Sequence, residues 1–245
     1  LKRFIMPLIA GVPNSPYWAD DLNAHYIQQS HEQGGLGGFL HPYNSSIFEP
    51  KDASGSEIPV DVALGFGDFY DIVSMASDEF ASSKIYGKLL NCGFRLAATG
   101  GSDNFSNVWR DPPPGSARTY ARIDGPLSFH SWLRAIQANR TFGTNGPLLF
   151  LSVKGKTPGD TLRLNGTEKY ILPVEIQVSS LSPLEKVELL MNGKVIHRTS
   201  APPKEKKFTV STSISVSGNS WIAARVVGPG HRTLADHYAF AQTSP

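Results

Sequence analysis

Residues 34–43 read G-G-L-G-G-F-L-H-P-Y, a glycine turn followed by a short apolar strand that ends at His41. A second apolar stretch runs into G-G-S-D-N at residues 100–104 and presents Asp103. In α/β sheets and barrels, functional groups gather at the carboxyl ends of strands, where the loops converge. The two stretches therefore predict that His41 and Asp103 lie at one edge of a sheet.

An imidazole and a carboxylate at one sheet edge can share a metal ion. Both groups are good ligands for Zn²⁺, Mn²⁺ or Fe. The pattern alone leaves two other roles open: His41 beside a proline can cap a turn, and Asp103 can cap a helix or turn with its carboxylate. We expect the two side chains to lie within reach of a common ion.

Helix and strand patterns alternate along the first half of the chain. The apolar spacing predicts helices over residues 20–33, 82–90 and 124–139, and strands over 35–41, 69–75, 94–99 and 117–123. Residues 44–63 are polar and punctuated by proline, which predicts a long loop. Strands that alternate with helices indicate a mostly parallel sheet or barrel.

The pattern changes near residue 150 to short alternating strands separated by turn residues. Candidate strands cover residues 149–153, 171–178, 186–191, 194–198, 208–216, 221–227 and 236–241. The Asn192-Gly193 pair is a strong hairpin signal between two of them. Seven strands without a helix predict an antiparallel, immunoglobulin-like β-sandwich. The expected domains are residues 1–148, of α/β class, and residues 149–245, the sandwich.

Several segments in order resemble a PHP-type (polymerase and histidinol phosphatase) metallohydrolase of the CehA/McbA-like branch. They are H-E-Q-G-G-L-G-G-F-L-H-P-Y, Y-D-I-V-S-M, L-L-N-C-G-F-R-L-A-A-T-G-G-S-D-N, G-S-A-R-T-Y-A-R-I, W-L-R-A-I-Q-A-N-R-T-F-G-T-N-G-P-L-L and the final A-F-A-Q-T-S-P. The resemblance implies the C-terminal half of a distorted PHP-like barrel followed by a sandwich. It also implies that His41 and Asp103 are metal ligands for divalent Zn, Mn or Fe.

The expected substrate is a small-molecule phosphoester, carbamate or similar ester. Tyr43, Arg118 and Asn145 are the candidate substrate contacts, and no catalytic acid or base stands out. A guanidinium at Arg118 can hold a phosphate or carboxylate with two hydrogen bonds, although a structural salt bridge is the commoner role. Asn145 in T-N-G-P is also ordinary turn chemistry.

The chain also departs from the family pattern. The family carries a His-x-His motif, but none of the seven histidines here lie two apart: His25, His31, His41, His130, His197, His231 and His237. Phe105 stands where the family often has a further histidine, and phenylalanine cannot bind a metal. We therefore expect an incomplete site and a fragment that needs the missing N-terminal half or another subunit.

Two functions stay open on these observations. One is a metal-dependent hydrolase present as an incomplete fragment. The other is a non-catalytic protein on a degenerate PHP scaffold, whose sandwich binds a carbohydrate or a protein partner. The appended sandwich and the resemblance lean towards an extracytoplasmic location, which the sequence does not fix.

Composition excludes several other classes of protein. A net charge of +2 is too small for a nucleic-acid surface, and no apolar run approaches the ~18 residues of a membrane-spanning helix. The single cysteine, Cys92, excludes an internal disulfide and a cysteine-based zinc site. We expect its thiol to be buried and inert. His31 is expected to end a helix rather than bind metal.

Overall fold

The computed structural model describes residues 23–42, 58–74, 77–104, 112–165 and 168–245. The helices within these ranges are α1 (Asn23–Glu32), α2 (Ile58–Ala63), α3 (Glu79–Asn91) and α4 (Phe129–Gln137). The strands are β1 (Gly38–Phe39), β2 (Phe69–Ser74), β3 (Ala97–Gly101), β4 (Arg118–Ala121), β5 (Thr141–Thr144), β6 (Leu148–Val153), β7 (Tyr170–Ser179), β8 (Lys186–Met191), β9 (Lys194–Ser200), β10 (Lys207–Val216), β11 (Ile222–Pro229) and β12 (Tyr238–Thr243).

A small parallel sheet forms the first layer, in the order β1-β2-β3. β2 is buried along almost its whole length and α3 connects it to β3. The Asp78 carboxylate caps α3 by accepting a hydrogen bond from the amide of Ala81 at 2.8 Å. Within the described residues this layer has three strands, so the barrel-like closure stays a prediction.

Two antiparallel sheets form the second layer, in the orders β4-β5-β12-β11-β8-β9 and β10-β7-β6. β7 shows why its sequence folds this way, because Leu172, Val174, Ile176 and Val178 alternate with exposed residues and all point into one core. Leu189 and Val226 of the larger sheet pack in the same core. The predicted antiparallel strands are confirmed, the two sheets are compatible with a β-sandwich, and the described residues after 155 contain no helix.

The hairpin predicted at Asn192-Gly193 joins β8 to β9. Both turn residues have positive φ, 51° and 81°, as a two-residue turn of type I′ requires. This local chemistry was therefore readable directly from the sequence.

Three other expectations were wrong. Residues 117–123 are predicted as a further strand of a mostly parallel sheet or barrel, but β4 pairs antiparallel with β5, which pairs antiparallel with β12. Part of the predicted loop 44–63 forms α2. Cys92 is exposed rather than buried, because it is the C-cap residue at the exposed end of α3. The division at residue 148/149 thus separates strands that share one hydrogen-bonded sheet.

β3 is the edge strand of the parallel sheet, and hydroxyl groups from the other layer satisfy its outer backbone. The amide of Ala98 donates to Ser244 Oγ at 2.8 Å, and its carbonyl accepts from Thr141 Oγ1 at 2.8 Å. The Thr119 hydroxyl serves both the amide and the carbonyl of Gly100, each at 3.0 Å. These bonds block the exposed sheet edge that an unpaired strand would otherwise present.

The close approach of the two layers depends on a glycine in β5. A Cβ atom at Gly143 would lie 2.3 Å from the carbonyl oxygen of Thr99, so no larger residue fits there without a shift of backbone. The side chain of Phe240 in β12 is fully buried in the core between the parallel sheet and α3. The side chain of its neighbour Ala241 belongs instead to the core of the sandwich. The two layers therefore share one strand as well as one interface.

Replacing Thr141 with valine tests how much this junction contributes to stability. Valine keeps the shape but leaves the Ala98 carbonyl without its hydroxyl partner, so we expect the free energy of unfolding to fall by about 1–3 kcal/mol. Chemical denaturation measures the change. Thr209→Val at an exposed position of β10 is the matched control, and an equal, small effect of both variants would show that the junction is dispensable.

Candidate active site

The two predicted metal-ligating residues lie at the same edge of the parallel sheet. His41 follows the carboxyl end of β1 by two residues, and Asp103 follows the carboxyl end of β3 by two. Both side chains are exposed. β2 lies between β1 and β3, so His41 and Asp103 flank the end of the central strand.

Both residues adopt a backbone conformation that side chains other than glycine rarely take. The φ angles are 33° for His41 and 50° for Asp103. Histidine and aspartate are among the side chains found there more often than most, but such positions still cost stability and cluster at functional sites. His41 and Asp103 therefore lie in turns with unusual backbone conformations just beyond the carboxyl ends of β1 and β3.

Asp71 on β2 lies between these two residues and was missed by the sequence analysis. It is 2% exposed, and its Oδ1 accepts a hydrogen bond from Thr99 Oγ1 at 2.5 Å. The other oxygen faces Gly101, where a Cβ would come within 3.0 Å of it. The available signal was one aspartate inside the apolar run F-Y-D-I-V-S.

The electrostatics of Asp71 connect the three residues. Burial raises the pKa of the Asp71 carboxyl to about 6. The hydrogen bond from Thr99 and the charge of His41 oppose the shift, while the negative charge of Asp103 adds to it. His41 and Asp103 are therefore both close enough to Asp71 to act on its charge.

The fit of this edge to a metal ion is partial. The donor chemistry is suitable, because an imidazole and two carboxylates are ligands for Zn²⁺, Mn²⁺ or Fe. Among the described residues, however, no three His, Cys, Asp or Glu side chains converge closely enough to hold an ion. Phe105, which the sequence resemblance aligns with a further histidine, lies outside the described residues.

The three candidate substrate contacts have different placements. Tyr43 lies outside the described residues. The Arg118 guanidinium donates to the carbonyls of Gly115 at 2.8 Å and Gly146 at 3.3 Å, and it lies over the Tyr120 ring. Arg118 thus ties two loops together beside the site, and its contact with substrate stays a prediction.

Asn145 is also engaged within the protein. It is 3% exposed; its amide nitrogen donates to Asp236 Oδ2 at 2.9 Å and to the carbonyl of Tyr238 at 2.8 Å. Its amide oxygen accepts from the backbone of Phe240 at 2.8 Å. This asparagine joins the end of β5 to the start of β12, and a substrate would have to compete with these bonds.

His31 makes a polar contact within the protein and is not one of the residues at the sheet edge. Its Nε2 lies 2.7 Å from Asp68 Oδ2, which also accepts from the amide of Gly37 at 2.9 Å. The contact joins the end of α1 to the residues that precede β1 and β2. The expectation that His31 ends a helix is confirmed.

A second acidic group sits where α3 meets β12. Glu79, in the first turn of α3, is 2% exposed and accepts a hydrogen bond from the Tyr238 hydroxyl. Burial raises the pKa of Glu79 to about 7; the bond from Tyr238 opposes the shift and the charge of Asp236 adds to it. The sequence offers no cue for this group, because Glu79 and Tyr238 are 159 positions apart.

The comparisons with known proteins give no assignment. No protein-family model, no curated protein and no solved structure matches the chain. In the described part of the chain, no helix is long and apolar enough to cross a membrane. The function must therefore be inferred from the fold, the sheet edge and the sequence.

The raised pKa of Glu79 predicts a pH dependence of stability. Between pH 4.5, the ordinary pKa, and about 7, the folded state binds more protons than the unfolded state, so the free energy of unfolding falls as the pH rises. The contribution is fully present below pH 4.5 and lost through pH 7. We expect Glu79→Gln to flatten the slope chiefly between about pH 6 and pH 7, above the raised pKa of Asp71.

Melting temperatures measured across this pH range for both proteins check the prediction. Glu185→Gln is the control, because that carboxylate is largely exposed, with 67% of its side-chain surface accessible. The assignment of the slope to Glu79 is wrong if both variants keep the pH profile of the unmodified chain.

Proposed function

We propose that this chain contributes part of a metal-dependent hydrolase of the PHP type, which acts on a phosphoester or on a carbamate or similar ester. The observation that carries the proposal is the placement of His41 and Asp103 on either side of the buried Asp71, at the carboxyl edge of a parallel sheet. The finer fold proposal is that β1, β2 and β3 belong to a distorted PHP-like barrel.

In this proposal His41, Asp71 and Asp103 are nitrogen and oxygen ligands for a divalent ion, and the exposed side chains of His41 and Asp103 turn towards Asp71 when the ion binds. Such an ion would lower the pKa of a bound water and polarise the scissile bond. The raised pKa of Asp71 supports the assignment, since a carboxylate that is buried near another carboxylate is stabilised by a cation.

Thr99 and Gly101 are positioning residues in the same arrangement. The Thr99 hydroxyl fixes one oxygen of Asp71, so that the carboxylate holds a single orientation. Gly101 leaves the other oxygen room that any larger residue would take. Groups that hydrogen-bond to a metal-ligating side chain and fix its orientation are a general feature of metal sites.

The site is proposed to be incomplete within the described residues. A catalytic Zn²⁺ usually has three protein ligands and an open position, and three described side chains do not converge on one point. The remaining ligands are proposed to come from residues outside the described part of the chain or from a partner chain. By itself the chain is expected to turn over phosphoesters poorly or not at all.

A non-catalytic binding protein on the same scaffold is the second candidate function. The lack of convergence among the described ligands favours it, and so do large apolar side chains on the outer face of the smaller sheet. Phe150 of β6 is 52% exposed and Ile171 of β7 is 66% exposed. In this alternative the sandwich binds a carbohydrate or a protein partner.

Metal titration tests the hydrolase proposal. We expect calorimetry with Zn²⁺ or Mn²⁺ to show weak binding, and His41→Ala or Asp103→Ala to weaken it at least about tenfold, since each removes a ligand. His130→Ala, on the exposed face of α4, is the control. Binding that is unchanged in both edge variants would contradict the proposed ligands.

Turnover separates the two candidate functions. Assays with a phosphodiester and a carbamate ester are run with Zn²⁺ or Mn²⁺ present. Strong turnover that is lost in both edge variants would show that the chain holds a complete site, against the proposed incompleteness. Absence of both metal binding and turnover would favour the binding protein.

A further inference from the structure

A groove of about 210 Å³ lies between α3 and the hairpin of β8 and β9. It is on the side of α3 that faces the sandwich, and it involves none of the residues of the candidate active site. The residues that matter for its chemistry are Lys84, Lys88, Asn91, Lys194, Trp221 and Arg225. Its volume is below the ~300–1,000 Å³ of sites for drug-sized ligands, which limits the ligand to a small molecule.

The lining is strongly cationic. Lys84, Lys88 and Lys194 are exposed, and within the described ranges none of them forms an ion pair. Arg225 adds a fourth positive group, and no aspartate or glutamate lines the groove. Cations gathered in a concave surface with a low-dielectric wall focus a positive potential that attracts anions.

A buried acidic side chain behind the groove, Glu188, is paired with two arginines. Glu188 is 1% exposed and lies 2.6 Å from Arg225 Nη2 and 2.8 Å from Arg198 Nη2. Burial raises the pKa of Glu188, but the charges of Arg225 and Arg198 outweigh that and hold the pKa below its usual value. One carboxylate facing two guanidiniums leaves the lysines uncompensated.

Two walls of the groove are held in fixed positions. Arg225 donates to Ser83 Oγ at 3.3 Å and lies 5.2 Å from the centre of the Phe80 ring. The Trp221 indole donates to Asn91 Oδ1 at 2.7 Å, and its backbone amide donates to Asn192 Oδ1 at 3.0 Å. Trp221, held by two hydrogen bonds, therefore stands beside exposed ammonium groups that form no ion pair within the described residues.

We propose that this groove binds a small soluble phosphate-bearing molecule, whose phosphate is held by Lys84, Lys88 and Lys194 and whose organic part packs on Trp221. Lysine is a common phosphate ligand that acts as a flexible point charge. The Arg225 guanidinium is occupied by Glu188 and Ser83, so its role is to hold the wall and add positive potential. This site is separate from the metal-binding edge.

Calorimetry with phenyl phosphate and inorganic phosphate, at constant ionic strength and without added metal, tests the proposal. We expect phenyl phosphate to bind more tightly than inorganic phosphate, because only the former has a ring that can pack on Trp221. The double variant Lys84→Gln/Lys194→Gln should bind both probes about tenfold more weakly or worse, since each lost lysine removes a charged contact.

The matched control is Lys204→Gln/Lys206→Gln, which removes the same charge at exposed positions before β10. It should bind both probes as the unmodified chain does, and circular dichroism should show that both double variants are folded. Equal losses in the two double variants would mean general charge attraction and overturn the site. Failure of the unmodified chain to bind, or equal affinity for the two probes, would also overturn the proposal.

The outcome is independent of the proposed hydrolase activity. His41→Ala should leave phosphate binding in the groove unchanged, because His41 follows β1 and does not line the groove. If His41→Ala instead abolished the binding of both probes, the phosphate would be bound at the sheet edge, and the groove would be excluded as the site.

Discussion

The structure depends on how the edge of one strand is satisfied. Among the described residues, β3 pairs with a strand on one side only, so its outward amides and carbonyls need hydrogen bonds from elsewhere. Side-chain hydroxyls of Thr119, Thr141 and Ser244 provide them, and Gly143 lets the sandwich come close enough. The parallel strands β1, β2 and β3 are thereby joined to the larger antiparallel layer.

This junction also fixes the candidate site. β3 carries Thr99, which orients Asp71, and Gly101, which leaves room for its carboxylate. The same strand leads to Asp103, so a displacement of β3 would move the positioning hydroxyl and one proposed ligand together. The sandwich therefore holds the edge of the parallel sheet in place through its contacts with β3, although the sandwich core lies elsewhere. Rigid support of this kind is what a precise ligand geometry needs.

Local patterns in the sequence were sufficient to find some features and not others. The position of His41 and Asp103 after strands of one sheet was predictable because each follows a glycine-flanked apolar stretch, and their role as ligands stays a prediction. The Asn192-Gly193 turn was predictable because its chemistry is local. Asp71 was missed, since the environment that marks its carboxylate as a candidate ligand comes from Thr99 and Gly101 of the neighbouring strand. β5 was missed because Gly143 weakens its strand pattern, and that glycine is required by a contact with β3 that no local pattern records. Long-range contacts account for both omissions.

The position of β12 in the sheet has a consequence for synthesis of the chain. It is the last strand along the sequence, yet it lies between β5 and β11, in the middle of the six-stranded sheet. While a ribosome is still making residues 238–244, β5 lacks its central neighbour and the amide of Ala98 lacks Ser244. The emerging chain would then expose two open strand edges, which are prone to aggregation. The six-stranded sheet can therefore close only once β12 has been made and has emerged from the ribosome.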